Sequence, residues 1–191
     1  MNEPVFVIDN NIWKQNWVYL KICEHNLFNY IEVDINKAVD EIASAIQNIE
    51  RTGENITVCN LAANSDISAG NDNLDIDLMD TFLTTANILK ICKELNIIKI
   101  NFASSSAVYG QTVIDESGFS EQSLCQPISN YGAMKLASEA LLKASHETFL
   151  KKCLVFRFPN VVGFPATHGV LKDFITKLRM DENVLNVLGD G

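Results

Sequence analysis

Short apolar runs recur along the chain and are separated by longer amphipathic stretches. Each run is rich in β-branched or aromatic residues, and such runs predict buried β-strands. The predicted strands are Pro4–Ile8, Tyr30–Val33, Ile56–Cys59, Ile97–Phe102 and Cys153–Phe156.

Between these runs, apolar residues recur three and four positions apart, the spacing of one face of an α-helix. The spacing predicts helices over Ile35–Arg51, Asp77–Glu94 and Asn130–Phe149, and a fourth that begins near Leu171. Strands that alternate with helices too long for hairpins pair in parallel through right-handed crossovers. The sequence therefore predicts an α/β fold with a Rossmann-like, doubly wound parallel sheet. We find no internal repeat or linker, so residues 1–191 are expected to form one domain.

The composition excludes several classes of protein. Of the 191 residues 47% are hydrophobic, which is enough for a packed core. The apolar runs are far shorter than the roughly 20 residues that cross a bilayer, so no membrane-spanning protein is expected. The 24 acidic and 15 basic residues give a net charge of −9, and without a basic patch such a surface repels nucleic acid.

The five cysteines, at positions 23, 59, 92, 125 and 153, stand singly. None has the spacing of a zinc site or of a redox pair. No signal-peptide pattern follows Met1. The sequence thus predicts free thiols, no metal and a cytoplasmic location.

In a parallel sheet of this kind, ligands bind at the carboxyl ends of the strands. The residues that follow the predicted strands are Asp9–Asn11, Asp34–Ile35, Asn60–Ala63, Ala103–Ser106 and Arg157–Asn160. These strand ends are where we expect the chemistry of the protein.

Tyr131 and Lys135 stand four residues apart at the start of the third predicted helix, so both project from one face. A lysine ammonium close to a phenol lowers its pKa from about 10, and the two together suit proton transfer. The alternative is an exposed pair without function. Ser104–Ser106 could hydrogen-bond a substrate oxygen or only close a turn, and Asp9 could bind ribose hydroxyls or only end a strand in solvent.

Seven segments carry a family resemblance in their order and spacing: Val5–Asn10, Tyr30–Ile35, Leu61–Ser65, Phe102–Gly110, Pro127–Leu136, Arg157–Gly163 and Val187–Gly191. Together they resemble the extended short-chain dehydrogenase/reductase family, specifically its NAD-dependent nucleotide-sugar epimerases and dehydratases. The similarity runs nearly end to end and is nearest to the UDP-glucose 4-epimerase type.

The resemblance implies a role for each matching position. Tyr131 matches the acid/base, Lys135 the residue that lowers its pKa and holds the nicotinamide ribose, and Ser105 the hydroxyl that bridges tyrosine and substrate. The matching cofactor positions are Asp9, Asp34, Ile35, Leu61, Ala62, Ala63, Ala103 and Phe158, together with Tyr131 and Lys135. The matching substrate positions are Ser105, Ser106, Tyr131, Asn160, His168 and Val170.

The implied ligands are NAD and a nucleotide sugar, and the family allows a homodimer. A carboxylate at position 9, where an arginine would accommodate an extra phosphate, favours NAD over its phosphorylated form.

The sequence departs from the family at both ends and at two internal positions. The family opens with a glycine-rich turn that approaches the pyrophosphate, whereas the first glycine here is Gly53. The expected domain is therefore truncated at both ends, with a gap between the first and third predicted strands and weak binding of NAD. Thr81 stands where the family usually has asparagine, and Asn60 precedes Leu61.

These features leave three hypotheses. The first is epimerisation of a nucleotide sugar, expected at C4 of a UDP-hexose. It is favoured because Ser106 and Ala107 stand where related dehydratases carry an acidic pair that eliminates water. The second is a truncated remnant or binding module with little or no turnover, and the third is a nucleotide-sugar dehydratase or reductase.

Overall fold

The computed structural model describes residues 4–10, 27–49, 53–111, 118–163 and 169–187. The chain divides into two compact units, residues 1–157 and residues 158–191. All of the strands except the last residue of the fifth lie in the first unit.

Five strands are present in the described residues: β1 (Val5–Asp9), β2 (Phe28–Glu32), β3 (Val58–Asn60), β4 (Lys99–Ser105) and β5 (Lys152–Phe158). β1 pairs in parallel with β2, and β3 pairs in parallel with β4, with Asn60 opposite Phe102. β4 alternates buried and half-buried residues along its length, because both faces of this central strand are covered. The predicted α/β fold with parallel strands is confirmed.

The strands form two sheets, β1–β2 and β3–β4–β5. The break falls between β1 and β3, where the sequence predicts a gap. Within the described ranges no strand lies between them to carry hydrogen bonds from one sheet to the other.

The helices are α1 (Val39–Ile49), α2 (Ile67–Asp72), α3 (Leu74–Asp77), α4 (Thr84–Glu94), α5 (Asn130–His146) and α6 (Val170–Met180). A π-helical segment, Leu78–Leu83, joins α3 to α4, and a 3₁₀ turn, Ser106–Val108, follows β4. None of the helices described is long and apolar enough to cross a membrane.

Two buried clusters connect these elements. Helix α4 contributes to both, so it links the two sheets through side-chain packing. The first cluster is Leu89, Ile100, Phe102, Leu142 and Leu150, and the second is Ile42, Ala43 and Ile91 with Ile8, Val33 and Ile35 packed against it.

Candidate active site

The N-terminus of α5 places the predicted acid–base pair. Ser129 caps this helix, because its side-chain oxygen accepts a hydrogen bond from the backbone N–H of Gly132 at 3.1 Å. Gly132 lets the first turn of the helix approach the 3₁₀ turn after β4 closely, since a Cβ at this position would lie 2.6 Å from the carbonyl oxygen of Ala107. Tyr131 is therefore held against the turn that contains Ser105.

Lys135 is buried, with 2% of its surface exposed. Its Nζ donates a hydrogen bond to the carbonyl oxygen of Ala103 at 2.6 Å. The ammonium also lies 4.8 Å from the ring centroid of Phe102 and 5.7 Å from that of Tyr131. Burial lowers the pKa of Lys135 to about 8, because the charged form loses its hydration.

Ser105 lies at the junction of β4 and the 3₁₀ turn and caps that turn, with its hydroxyl accepting from the backbone N–H of Ala107 at 3.2 Å. Both Ser105 and Ser106 are half-buried. The serine thus closes a turn, which was the alternative to a catalytic role, and its hydroxyl is also near enough to the Tyr131 phenol to lower the pKa of that phenol.

The pKa of Tyr131 lies above its ordinary value, the opposite of the direction expected from the neighbouring lysine. Burial is the largest cause; the Ser105 hydrogen bond lowers the pKa, and the carboxylate of Asp77 raises it. The protein alone therefore favours the neutral phenol.

Asp77 is a buried acid. The sequence pattern marked it only as the first residue of a predicted helix. It has no exposed surface, and one carboxylate oxygen accepts from Asn64 Nδ2 at 2.9 Å. The other oxygen has no hydrogen-bond partner in the described part of the chain. A Cβ on Gly70 would overlap it, and the Gly70 carbonyl in turn accepts from Asn130 Nδ2 at 3.0 Å. The acid therefore lies close to the start of α5.

Replacing Asp77 with asparagine is expected to lower the pKa of the Tyr131 phenol, because it removes a negative charge that disfavours the phenolate. An asparagine oxygen can still accept from Asn64. The pKa is measured by titrating the tyrosine ¹³Cζ signal, assigned from its loss in Tyr131→Phe. Asp75→Asn, at an exposed position of the same helix, is the control, and an unchanged or higher pKa in Asp77→Asn would contradict the effect.

The loop after β3 is held by the two residues that depart from the family. The backbone N–H of Asn64 donates to Thr81 Oγ1 at 3.1 Å, and Asn60 Nδ2 donates to Thr85 Oγ1 at 3.2 Å. Asn60 Oδ1 also accepts from the Ala62 backbone N–H at 3.2 Å. Leu61 is left 72% exposed at the strand end, while Ala62 and Ala63 are half-buried.

The predicted adenosine positions lie at the ends of β1 and β2. Asp9 is exposed at the end of β1. Asp34 forms an ion pair with Lys37 at 2.9 Å, and the hydrogen bond from Lys37 is the main cause that lowers its pKa. Ile35 packs against the second buried cluster, so part of its surface is already covered by the core.

The remaining predicted positions belong to the second unit. Phe158 and Asn160 are exposed, and Val170 begins α6. His168 lies outside the described residues. Their proposed roles stay predictions.

Parallel strands that alternate with helices, and a half-buried Tyr131 with a buried Lys135 beside a strand-end serine, define an α/β protein of the short-chain dehydrogenase/reductase type. A family model described as "NAD dependent epimerase/dehydratase family" matches residues 3–191, and the chain belongs to that family. The cofactor of the family is NAD.

Individual proteins support the same assignment. The chain is 26% identical to a UDP-glucuronate 4-epimerase of Thermodesulfobacterium geofontis over 197 residues, covering 99% of this chain and 58% of that protein. A crystal structure of a UDP-galactose 4-epimerase matches with a TM-score of 0.76 and 28% identity, over 96% of this chain and 57% of the other.

The structure of a UDP-glucuronic acid 4-epimerase from Bacillus cereus, in complex with UDP-glucuronic acid and NAD, has the same fold. Its TM-score is 0.75 at 23% identity, over 93% of this chain and 55% of the other. The chain thus spans little more than half the length of these three proteins.

Proposed function

We propose that this chain carries the acid–base residues of an NAD-dependent epimerase that inverts C4 of a UDP-hexose. The observation that carries the proposal is the buried ammonium of Lys135, 5.7 Å from the ring centroid of Tyr131, whose phenol is also influenced by Ser105. The names of the relatives and of the similar structures, which are UDP-sugar 4-epimerases, support the choice of substrate.

In the proposed reaction Tyr131 takes the proton of the sugar hydroxyl, and Ser105 donates a hydrogen bond to the same oxygen. NAD, when bound beside Tyr131 and Lys135, would accept a hydride from the sugar carbon and return it, so that this carbon would pass through a ketone and be reduced on its other face. Tyr131 returns the proton to the sugar oxygen. A phenol with a raised pKa is almost entirely protonated near neutral pH, so positive charge from Lys135 and from the bound cofactor would be needed to form the phenolate that takes the proton.

The residues present fit a bound dinucleotide on the ribose side. Lys135 has three N–H donors and uses one on Ala103; the other two have no partner among the residues described and suit ribose hydroxyls. Asp9 and Asp34 are the acceptors at the ends of β1 and β2 for the adenosine. No glycine precedes Gly53, so the pyrophosphate has no glycine-rich turn in this part of the sequence.

Two other functions compete with this proposal. The first is a binding module that binds NAD and the nucleotide sugar with little or no turnover. The family also includes dehydratases, but Ser106 and Ala107 offer no carboxylate for the elimination of water.

The test is to incubate the protein with NAD and each of UDP-glucose, UDP-glucuronic acid and UDP-N-acetylglucosamine, and to identify the products by NMR. We expect the C4 epimer of at least one sugar. A 4-keto-6-deoxy product would instead assign a dehydratase. Calorimetric binding of NAD and UDP-sugar without any product would assign a binding module.

A further inference from the structure

The side chain of Arg157, at the end of β5, connects three separate segments of the first unit. Its Nε and Nη2 donate to the two carboxylate oxygens of Glu139 at 3.0 and 2.7 Å. Its Nη1 donates to the hydroxyl of Tyr109 at 3.1 Å and to the backbone carbonyl of Glu121 at 3.2 Å. One guanidinium thus fixes α5, the end of the 3₁₀ turn and the loop beyond it.

Glu139 connects this arginine to β4. It accepts a hydrogen bond from the hydroxyl of Ser104, the residue directly before Ser105. Glu139 also lies four residues after Lys135 and eight after Tyr131, on the same face of α5. The Ser104–Glu139 and Ala103–Lys135 contacts together fix how β4 and α5 are aligned.

Tyr109 secures the other side of Ser105. It follows directly on the 3₁₀ turn that Ser105 caps, and its hydroxyl donates to the carbonyl of Ser120 at 2.9 Å. Its ring stacks on Phe119 with centroids 4.5 Å apart. Ser105 is therefore held from both sides by one network, Ser104–Glu139–Arg157–Tyr109, which we call the clamp.

The charges of the clamp are mostly buried, with side-chain exposures of 20% for Arg157 and 11% for Glu139. The hydrogen bond to Glu139 is the main cause that raises the pKa of Arg157, so the guanidinium stays charged. A bidentate arginine–carboxylate pair fixes both distance and angle, whereas its net contribution to stability is small once desolvation is counted. Its geometry suits positioning better than it suits stabilisation.

We propose that Glu139 and Arg157 are positioning residues that hold Ser105 in its place beside the hydroxyl of Tyr131. For its catalytic meaning this inference rests on the proposed function. The contact itself is a property of the protein without substrate, so it can be measured separately.

The experiment follows the pKa of Tyr131 by ¹³Cζ NMR in the protein without ligands, for Glu139→Gln, Arg157→Lys and Ser105→Ala. The Ser105 bond lowers the phenol pKa, so all three variants should raise it. Glu139→Gln removes a negative charge and by electrostatics alone would lower the pKa, whereas Arg157→Lys keeps its charge. A rise in both therefore reports the lost contact. Asp77, the other group that shifts the pKa of the phenol, is untouched.

Ile42→Ala, in the second buried cluster, is the control for general loss of stability and should leave the phenol unchanged. Tyr109→Phe and Ser104→Ala remove one hydroxyl each and serve as the test if the charged variants do not fold. An unchanged or lower pKa of Tyr131 in the clamp variants overturns the inference. Turnover of UDP-hexose is measured separately. If the protein shows no turnover but the pKa of Tyr131 rises in these variants, the proposed function is refuted and the inference about the clamp is supported.

Discussion

Replacing Tyr131 with phenylalanine is expected to lower kcat by about 10²- to 10⁴-fold, the usual loss when a general acid–base group is removed. The Kd of the nucleotide sugar should change little, because only one hydroxyl is removed. The ring is retained, so its contact with Lys135, at 5.7 Å from the centroid, is kept. Steady-state kinetics for turnover and calorimetry for binding separate the two effects.

Tyr30→Phe is the matched control, because it removes the same hydroxyl from β2 in the other sheet. It should leave kcat near the wild-type value. Near-normal turnover in Tyr131→Phe would show that the phenol takes no part in the mechanism and that the Tyr131–Lys135 pair has only a structural role.

The periodicity of the sequence predicted every described strand and the longer helices, because buried strands and amphipathic helices have local patterns. The helix predicted over Asp77–Glu94 differs in the structure, where a π-helical segment precedes α4. Helices α2 and α3 were not predicted. They begin at capping residues, Asp66 and Asn73, and they bury too few residues to leave a hydrophobic period.

The alternation of strands and helices predicted a doubly wound sheet with a gap between the first and third predicted strands, and the described strands divide into two sheets at that gap. Pairing between strands depends on contacts that are distant in sequence. The absence of a glycine-rich turn before Gly53 was the one sign in the sequence that marked the position of the break.

For the candidate site, the spacing of Tyr131 and Lys135 was visible because both stand on one helix. The surroundings of the pair were not visible. Asp77 and Asn64 are 13 residues apart, and Ser104 and Glu139 are 35 apart. Such partners are brought together only by the packing of α3 and β4 against α5, so the raised pKa of the phenol and the clamp could be found only in the structure.

The buried ammonium of Lys135 gives the second large prediction. Its pKa falls from 10.5 to about 8 in the folded protein, which corresponds to a destabilisation of about 3 kcal/mol when the charged form is buried. The unfolded chain binds more protons than the folded one between pH 8 and 10.5, so the free energy of unfolding rises with pH in this window. Lys135→Met removes this pH dependence. The free energy of unfolding of the variant minus that of the wild type should therefore be about 3 kcal/mol larger at pH 7 than at pH 10.5.

Urea unfolding of Lys135→Met and of the wild type at the two pH values measures this difference in unfolding free energy. Cysteines and tyrosines also titrate in this range, but they are common to both proteins, so their effect largely cancels. Lys143→Met, at an exposed position on the same helix, is the control. If the difference in unfolding free energy between Lys135→Met and the wild type did not change with pH, the ammonium would not be buried. Turnover should be lost in Lys135→Met, because methionine can neither donate to a ribose hydroxyl nor stabilise a phenolate. A variant more stable at neutral pH yet inactive is the result expected when a buried charge is retained for chemistry at the expense of stability.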